Sequence, residues 1–273
     1  VSRARRSGRR LAALALGVTL VAALAGCGGG SETGGPGTAA GTDQGEGRLS
    51  GELTVLAAAS LTETFTELAR TFEDAHPGTT VSVSFDSSAT LAEQVLQGAP
   101  ADVLATADQR TMGTVVDGDA VAGSPRVFAT NRLALVVPAD NPAGISTFAD
   151  LDRPSVDYVV CVPSAPCGAL TTTVLQEQDI THPPASEEVD VKAVLSKVEL
   201  DEADAGIVYT TDAVAAGDKV RAIEVPGADR TSTVYPIAVL SGSAEPALAR
   251  AWVQLVLSAD GQRVLRAAGF GTP

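Results

Sequence analysis

Four short stretches place small residues where an apolar run gives way to a helical pattern: TVLAAASLTETF from Thr54 to Phe65, SFDSSATLAEQV around Ser87 and Ser88, CVPSAPCGAL around Cys167 and Gly168, and EEVDVKAVL, where a helix opens at Asp190 or Val191. In the first, Thr54 to Ala57 reads as a short buried strand and the residues from Leu61 on are apolar at helical spacing, so the chain turns sharply at Ser60. A hydroxyl at such a corner has three uses. It can cap the helix, since Ser60-Leu61-Thr62-Glu63 fits a capping box, worth about 1 kcal/mol. It can join the backbone N–H groups of the helix start in holding an anion. It can act as a nucleophile, which requires a neighbouring base. No G-x-S-x-G elbow occurs, and the two histidines, His76 and His182, both precede proline in expected turns, so a serine hydrolase built on Ser60 or Ser88 lacks its base and no enzyme is expected. One serine does not choose between cap and anion donor. Several helix starts aimed into one cleft would form a cage of neutral donors.

The elements that would aim them there follow from periodicity. The run LTVLA is followed by Phe65, Leu68, Ala69 and Phe72 at i, i+3, i+4 and i+7, one strand and one amphipathic helix. VSVSF (Val81 to Phe85) precedes a helix around Leu91 to Gln97, and ADVLAT precedes one beginning near Ala107. Three strand-to-helix units in succession predict a parallel α/β sheet, whose ligands sit at the carboxyl ends of the strands. RLALVVP (Arg132 to Pro138) is a further strand. A second series then follows: DYVVCV, a helix from about Ala169, a helix from Val191 to about Leu200, AGIVY and VRAIEV. STVYPIAVL (Ser232 to Leu240) is as long and apolar as RLALVVP, and two such strands are what a chain needs to leave a first lobe and return to it. The carboxyl end from Pro246 is helical, with Leu248, Trp252, Leu255 and Val256 on one face to cover the first lobe. The expected fold is therefore α/β in two lobes, each a mostly parallel sheet flanked by helices, with a cleft between them. Lobe 1 spans residues 50–131 and returns over 233–273; lobe 2 spans 132–232.

At 273 residues and 45% hydrophobic composition the chain can bury two such cores. Residues 1–26 read as a secretory leader, an arginine-rich start followed by an apolar run too short for a membrane span, and Leu24-Ala25-Gly26-Cys27 resembles a bacterial lipobox with Cys27 as the acylated residue. Residues 27–49, rich in Gly, Ser and Thr, read as a flexible tether. The expected location is the outer face of the cytoplasmic membrane, reached through a lipid anchor. Five of the 19 basic residues and none of the 33 acidic ones lie in the leader, which leaves 14 against 33, a net charge of −19 from residue 27 onward. Nucleic acid is an improbable partner for such a chain. With Cys27 lipidated, Cys161 and Cys167 are an even pair in an oxidising setting and predict a short disulfide. A metal-cation receptor is poorly served: Tyr158, Tyr209, Tyr235 and the two histidines are scattered with no ligand cluster. Tyr158, Tyr235, Met112 and Trp252 read as packing residues.

Taken in order, AAASLTETF, SSATLAEQVLQGAPADVLATAD, APCGA, the DV before a helix and GIVYTTDAV resemble the motifs of the periplasmic molybdate-binding proteins of bacterial ABC importers, from about Gly51 to Gly269. The resemblance implies a class II solute-binding protein, a monomer that encloses molybdate or tungstate between its lobes, delivers it to a membrane permease and uses no cofactor and no metal cation. It further implies a hydroxyl and a backbone N–H each from Ser60 and Ser88, backbone N–H groups from Cys167 and Val191, and the hydroxyl of Tyr209. Cys167 stands where the family commonly has alanine, a change that a backbone donor tolerates. Sulfate or phosphate would satisfy the same donor chemistry, and the sequence leaves that alternative open.

Overall fold

The computed structural model describes residues 49–228 and 230–273. The expected leader, Cys27 and the tether up to residue 48 lie outside the described residues.

Strand β1 (Gly51–Ala58) buries Leu53, Val55 and Ala57, and a single 3-10 turn (Ala59–Leu61) leads into α1 (Thr62–Ala75). The helix lays Phe65, Leu68 and Phe72 into the core, where Phe65 and Phe72 meet Trp252 edge-on at 5.5 and 5.8 Å between ring centroids. β2 (Thr79–Asp86), α2 (Ser88–Leu96), β3 (Val103–Ala105) and α3 (Gln109–Asp117) complete a first parallel series in which β1 pairs with β2 on one side and β3 on the other.

The 13-residue β4 (Arg126–Pro138) then leaves this series. The second series comprises β5 (Tyr158–Cys161), α4 (Pro166–Glu177), β6 (Ser186–Glu188), α5 (Val191–Glu199), β7 (Ala205–Tyr209), α6 (Thr210–Ala216) and β8 (Val220–Ile223), with β5 parallel to both β6 and β7. β9 (Ser232–Val239) returns, and α7 (Pro246–Leu257) and α8 (Ala259–Ala267) follow, α7 packing against β1, β9 and α1.

One sheet path runs β2-β1-β3-β9-β4-β7-β5-β6, with β8 also on β4. The crossing strands run antiparallel to each other. Arg126 to Arg132 of β4 pairs with β9, whereas Leu133 to Pro138 pairs with β7 and β8. The expected parallel order thus holds among β1, β2 and β3 and among β5, β6 and β7, β8 pairs antiparallel with β4 alone, and the two strands joining the series are antiparallel to their neighbours because the chain crosses once in each direction. Three local features differ from the expectation: β4 begins six residues earlier than the apolar run suggests, α4 starts at Pro166 and not near Ala169, and the short β6 and α6 carry no strong periodicity. The helical carboxyl end is made of two helices. The break falls at Ser258, whose Oγ accepts the Gly261 N–H and caps α8.

Candidate functional site

The carboxyl ends of β1, β2 and β7 converge with the starts of α2, α4 and α5 on one small cavity, about 20 Å³ as swept by the centre of a water-sized sphere. Ser60, Ser88, Cys167, Val191 and Tyr209 all line it, so the five residues named from sequence, spread over 150 positions, meet in one place. Each is buried. The space admits one compact group and is far too small for a sugar or a peptide.

Ser60 stands in the 3-10 turn after β1, flanked by Ala58 and Ala59, whose small side chains let the backbone approach the cavity. The expected capping box is absent. The residue at the start of α1 is Leu61, no side chain caps it, and Glu63 reaches Lys192 instead. The extra turn moves Ser60 one step back from the helix, so its Oγ lies 2.9 Å from the Tyr235 hydroxyl. Ser88 is the first residue of α2, and its Oγ accepts the Ala107 N–H at 3.0 Å, which leaves its own proton to donate.

In α4, Pro166 occupies the first turn, where its missing N–H costs nothing, and Cys167 follows with a first-turn N–H that no intrahelical carbonyl can satisfy. Cys161, at the end of β5, is disulfide-bonded to Cys167 as expected, with their Cα atoms 5.8 Å apart. Gly168 sits so close to the Val162 carbonyl that a Cβ there would collide with it, so the helix start is pressed onto the loop before it. In α5, Asp190 caps the helix by accepting the Ala193 N–H, and Val191 presents the next free N–H.

Tyr209 ends β7. Its hydroxyl is fully buried and makes no well-formed hydrogen bond among the described residues, the nearest polar neighbour being the Tyr235 side chain. Burial holds the phenol well above its ordinary pKa, so it is a donor at every physiological pH. An orphaned buried hydroxyl is costly, and one lining a cavity points to a ligand that would accept from it.

Among the described residues the lining includes no lysine or arginine, and its charged members are Asp86 and Asp190. Each has one carboxylate oxygen engaged by backbone, the Ser87 N–H at 2.6 Å and the Ala193 N–H at 2.9 Å. The nearest cation in sequence, Lys192, is spent elsewhere: its Nζ lies 2.8 Å from Glu63 and 3.1 Å from the buried Asp212. Burial pulls this ammonium down, but the two carboxylates outweigh it and hold the pKa above its ordinary value. Asp212 is raised to about 6 by burial, against the pull of Lys192.

Sequence reasoning missed several residues that matter here. Tyr235 is core, as read, but it also contacts Ser60, and Asn131 contacts Tyr235 in turn. Glu63 on α1 and Lys192 on α5 join the two series, as does Arg110 Nη2 donating to the Ser164 carbonyl at 3.0 Å. Only contact across the cleft reveals these roles, and no local pattern carries it. The histidines are engaged away from the serines, His76 against the Phe72 ring and His182 near the Val156 carbonyl.

Two α/β lobes joined by a pair of crossing strands, closed over a cavity of hydroxyl and backbone donors, define a receptor of the periplasmic-binding-protein class. The chain belongs to the bacterial extracellular solute-binding protein family, matched over residues 53–271. It is 43% identical to the molybdate-binding protein ModA of Mycobacterium tuberculosis (strain ATCC 25618 / H37Rv) over 254 residues, 93% of this chain and 95% of that protein. It is 35% identical to ModA of Escherichia coli (strain K12), covering 70% of this chain and 78% of the relative. The fold also matches the solved periplasmic molybdate-binding protein of Azotobacter vinelandii with a TM-score of 0.73, at 22% identity, over 81% of this chain and 99% of that one.

Proposed function

We propose that this chain is the molybdate receptor of a bacterial ABC importer, binding the anion by neutral donors and catalysing nothing. The observation that carries the reading is the orphaned Tyr209 hydroxyl, buried in the same cavity as the hydroxyls of Ser60 and Ser88 and the helix starts at Cys167 and Val191. A tetrahedral oxyanion such as molybdate has only acceptors, so it calls for converging donors and no acid, and several oriented dipoles can stabilise a buried dianion without a formal positive charge. The high identity to the mycobacterial and enterobacterial ModA proteins supports molybdate as the cargo. Tungstate, of the same shape and charge, fits the same donor set.

In this reading Ser60 and Ser88 act from lobe 1, residues 50–131 and 233–273, and Cys167, Val191 and Tyr209 act from lobe 2, residues 132–232. Closure of the lobes completes the donor cage. The protein works as an exported monomer, held by lipid on Cys27 and a tether, and hands its ligand to a membrane permease. Calorimetric titration with molybdate, tungstate, sulfate and phosphate tests the assignment: tight binding of the first two and weak binding of the others is expected, and tighter binding of sulfate or phosphate than of molybdate overturns it.

A further inference from the structure

Cys167 is at once part of the cavity wall and one end of a disulfide. It is the second residue of α4, and its sulfur is joined to that of Cys161, the last residue of β5. The two ends differ in how far they can yield. Cys161 stands in register with Glu188 of β6, and the next residue, Val162, donates its N–H to the Glu188 carbonyl at 2.8 Å, which pins the end of the strand. It is buried and is not among the residues that line the cavity. The loop between the two cysteines is committed as well. The Ala165 N–H donates to the Val162 carbonyl at 3.0 Å, and the Ser164 carbonyl accepts Arg110 Nη2 from α3 at 3.0 Å. Two thiols cannot remain at bonding distance, so cutting the bridge drives the sulfurs apart. Behind Cys161 lies a paired strand, whereas beside Cys167 lies the cavity, and a turn about the Cα–Cβ bond is the smallest motion that gives its sulfur room. The cavity, about 20 Å³ as swept by the centre of a water-sized sphere, holds little more than one such sphere. A thiol turned into it takes the space of the ligand. If the first turn of α4 backs away instead, the Cys167 N–H leaves its place, so either response weakens binding.

We propose that Cys161 is a positioning residue for the anion site: bonded to Cys167, it holds that side chain at the cavity wall, so that binding is strong when the pair is oxidised and weak when it is reduced. This rests on the proposed oxyanion function and adds its regulation. The reductant is a dithiol. One of its thiolates attacks a bridge sulfur, its second thiol resolves the mixed disulfide, and two electrons and two protons pass to the protein, which gains two thiols while the reductant gains a disulfide. Because redox state and ligand act on the same residue, the coupling is reciprocal: bound molybdate protects the bridge by the factor through which reduction weakens binding.

The test is calorimetry with molybdate on the oxidised protein and on protein reduced with a phosphine, then freed of it, once thiol counting shows the bridge open. Reduction should lower the affinity at least about tenfold, the loss of one hydrogen bond to a charged group. The potential of the bridge, measured against a protein dithiol couple, should become more negative with saturating molybdate, by about 30 mV for each tenfold in affinity. Cys161→Ala leaves the Cys167 thiol permanently free and should bind about as weakly as the reduced protein. Adding Cys167→Ala to it removes that thiol and should recover most of the loss. A bridge that only stabilises the fold predicts something else, because the single and the double variant lack it alike and would bind alike. Equal affinity of oxidised and reduced protein, a potential unmoved by molybdate, or a double variant that binds no better than Cys161→Ala would each overturn the inference. Should Cys161→Ala fold poorly, the reduced wild-type protein decides. Oxidised protein that does not bind molybdate would instead overturn the functional reading beneath it.

Discussion

Tyr209→Phe should have opposite effects on the empty and the loaded protein. In the empty protein the Tyr209 hydroxyl is buried without a well-formed hydrogen bond, so deleting one oxygen removes an unsatisfied group whose burial costs about 1 to 3 kcal/mol. With ligand bound, the same oxygen would donate a charge-assisted hydrogen bond, worth about 1.5 to 3 kcal/mol, so its loss should weaken molybdate binding roughly ten- to 150-fold. The phenylalanine ring fills the same space and keeps the edge contact with Tyr235, seen at 6.1 Å between centroids, so packing should not obscure either effect. Thermal unfolding of the ligand-free proteins should show the variant melting no lower than wild type, and up to several degrees higher, at about 2 to 4 °C per kcal/mol for a fold of this size. Calorimetry on the same samples should show the loss of affinity. A variant that binds molybdate as wild type does, or whose empty form melts several degrees lower, would refute the assignment of this hydroxyl to the ligand.

Gly168→Ala places a Cβ against the Val162 carbonyl and must displace the first turn of α4; we expect a folded protein destabilised by about 1 to 3 kcal/mol, with molybdate affinity reduced at least about tenfold in a titration. Unchanged affinity would show that the start of α4 does not touch the ligand. Glu63→Gln removes one side of the bridge from α1 to Lys192; the pair is partly exposed, so its contribution is at most about 1 kcal/mol, and stopped-flow dissociation should quicken by up to about fivefold at low salt and less at high salt. Asp212→Asn should flatten the dependence of stability on pH. The Asp212 carboxyl titrates at about 6 in the folded protein, above its unfolded value of about 3.9, so its stabilising contribution is full at low pH and is lost as pH rises from about 4 to 6. Denaturant unfolding across that window should lose this slope in the variant.

The parts of the site that are legible in the sequence are those made by local rules. A strand followed by small residues and an apolar helical period marks a helix start, and the parallel order of such units says that their starts share one edge of a sheet. The turns that carry Ser88, Cys167 and Val191 are legible in this way, and all three line the one cavity, whereas the choice of these residues as donors rests on the family resemblance. Ser60 shows the limit of the same rules. Its sequence fits a capping box, yet a single 3-10 turn between Ala59 and Leu61 carries the hydroxyl away from the helix to Tyr235. The choice between two short turns is set by what lies opposite, and Tyr235 is 175 residues away. The same holds for Asn131, which stands just before the apolar run Arg132 to Pro138 and shows no role until β4 and β9 are paired, and for α6, whose seven residues are too few to show a period.

The acidity of the chain and its proposed cargo are reconciled by where charge is placed. Most carboxylates lie on the surface, where salt screens them over about 10 Å. The two that line the cavity each turn an oxygen to a backbone N–H, and the one lysine at its edge is shared between Glu63 and Asp212. Among the described residues no lysine or arginine lines the cavity, so anion binding there would depend on the direction of hydroxyls and peptide dipoles. A lysine or arginine in the cavity would attract any anion of the right charge. In the proposed role a donor such as Ser88, whose Oγ already accepts the Ala107 N–H and so has its own proton to give, favours an anion rich in acceptors, and discrimination among ions of similar charge then rests on how such neutral groups are placed.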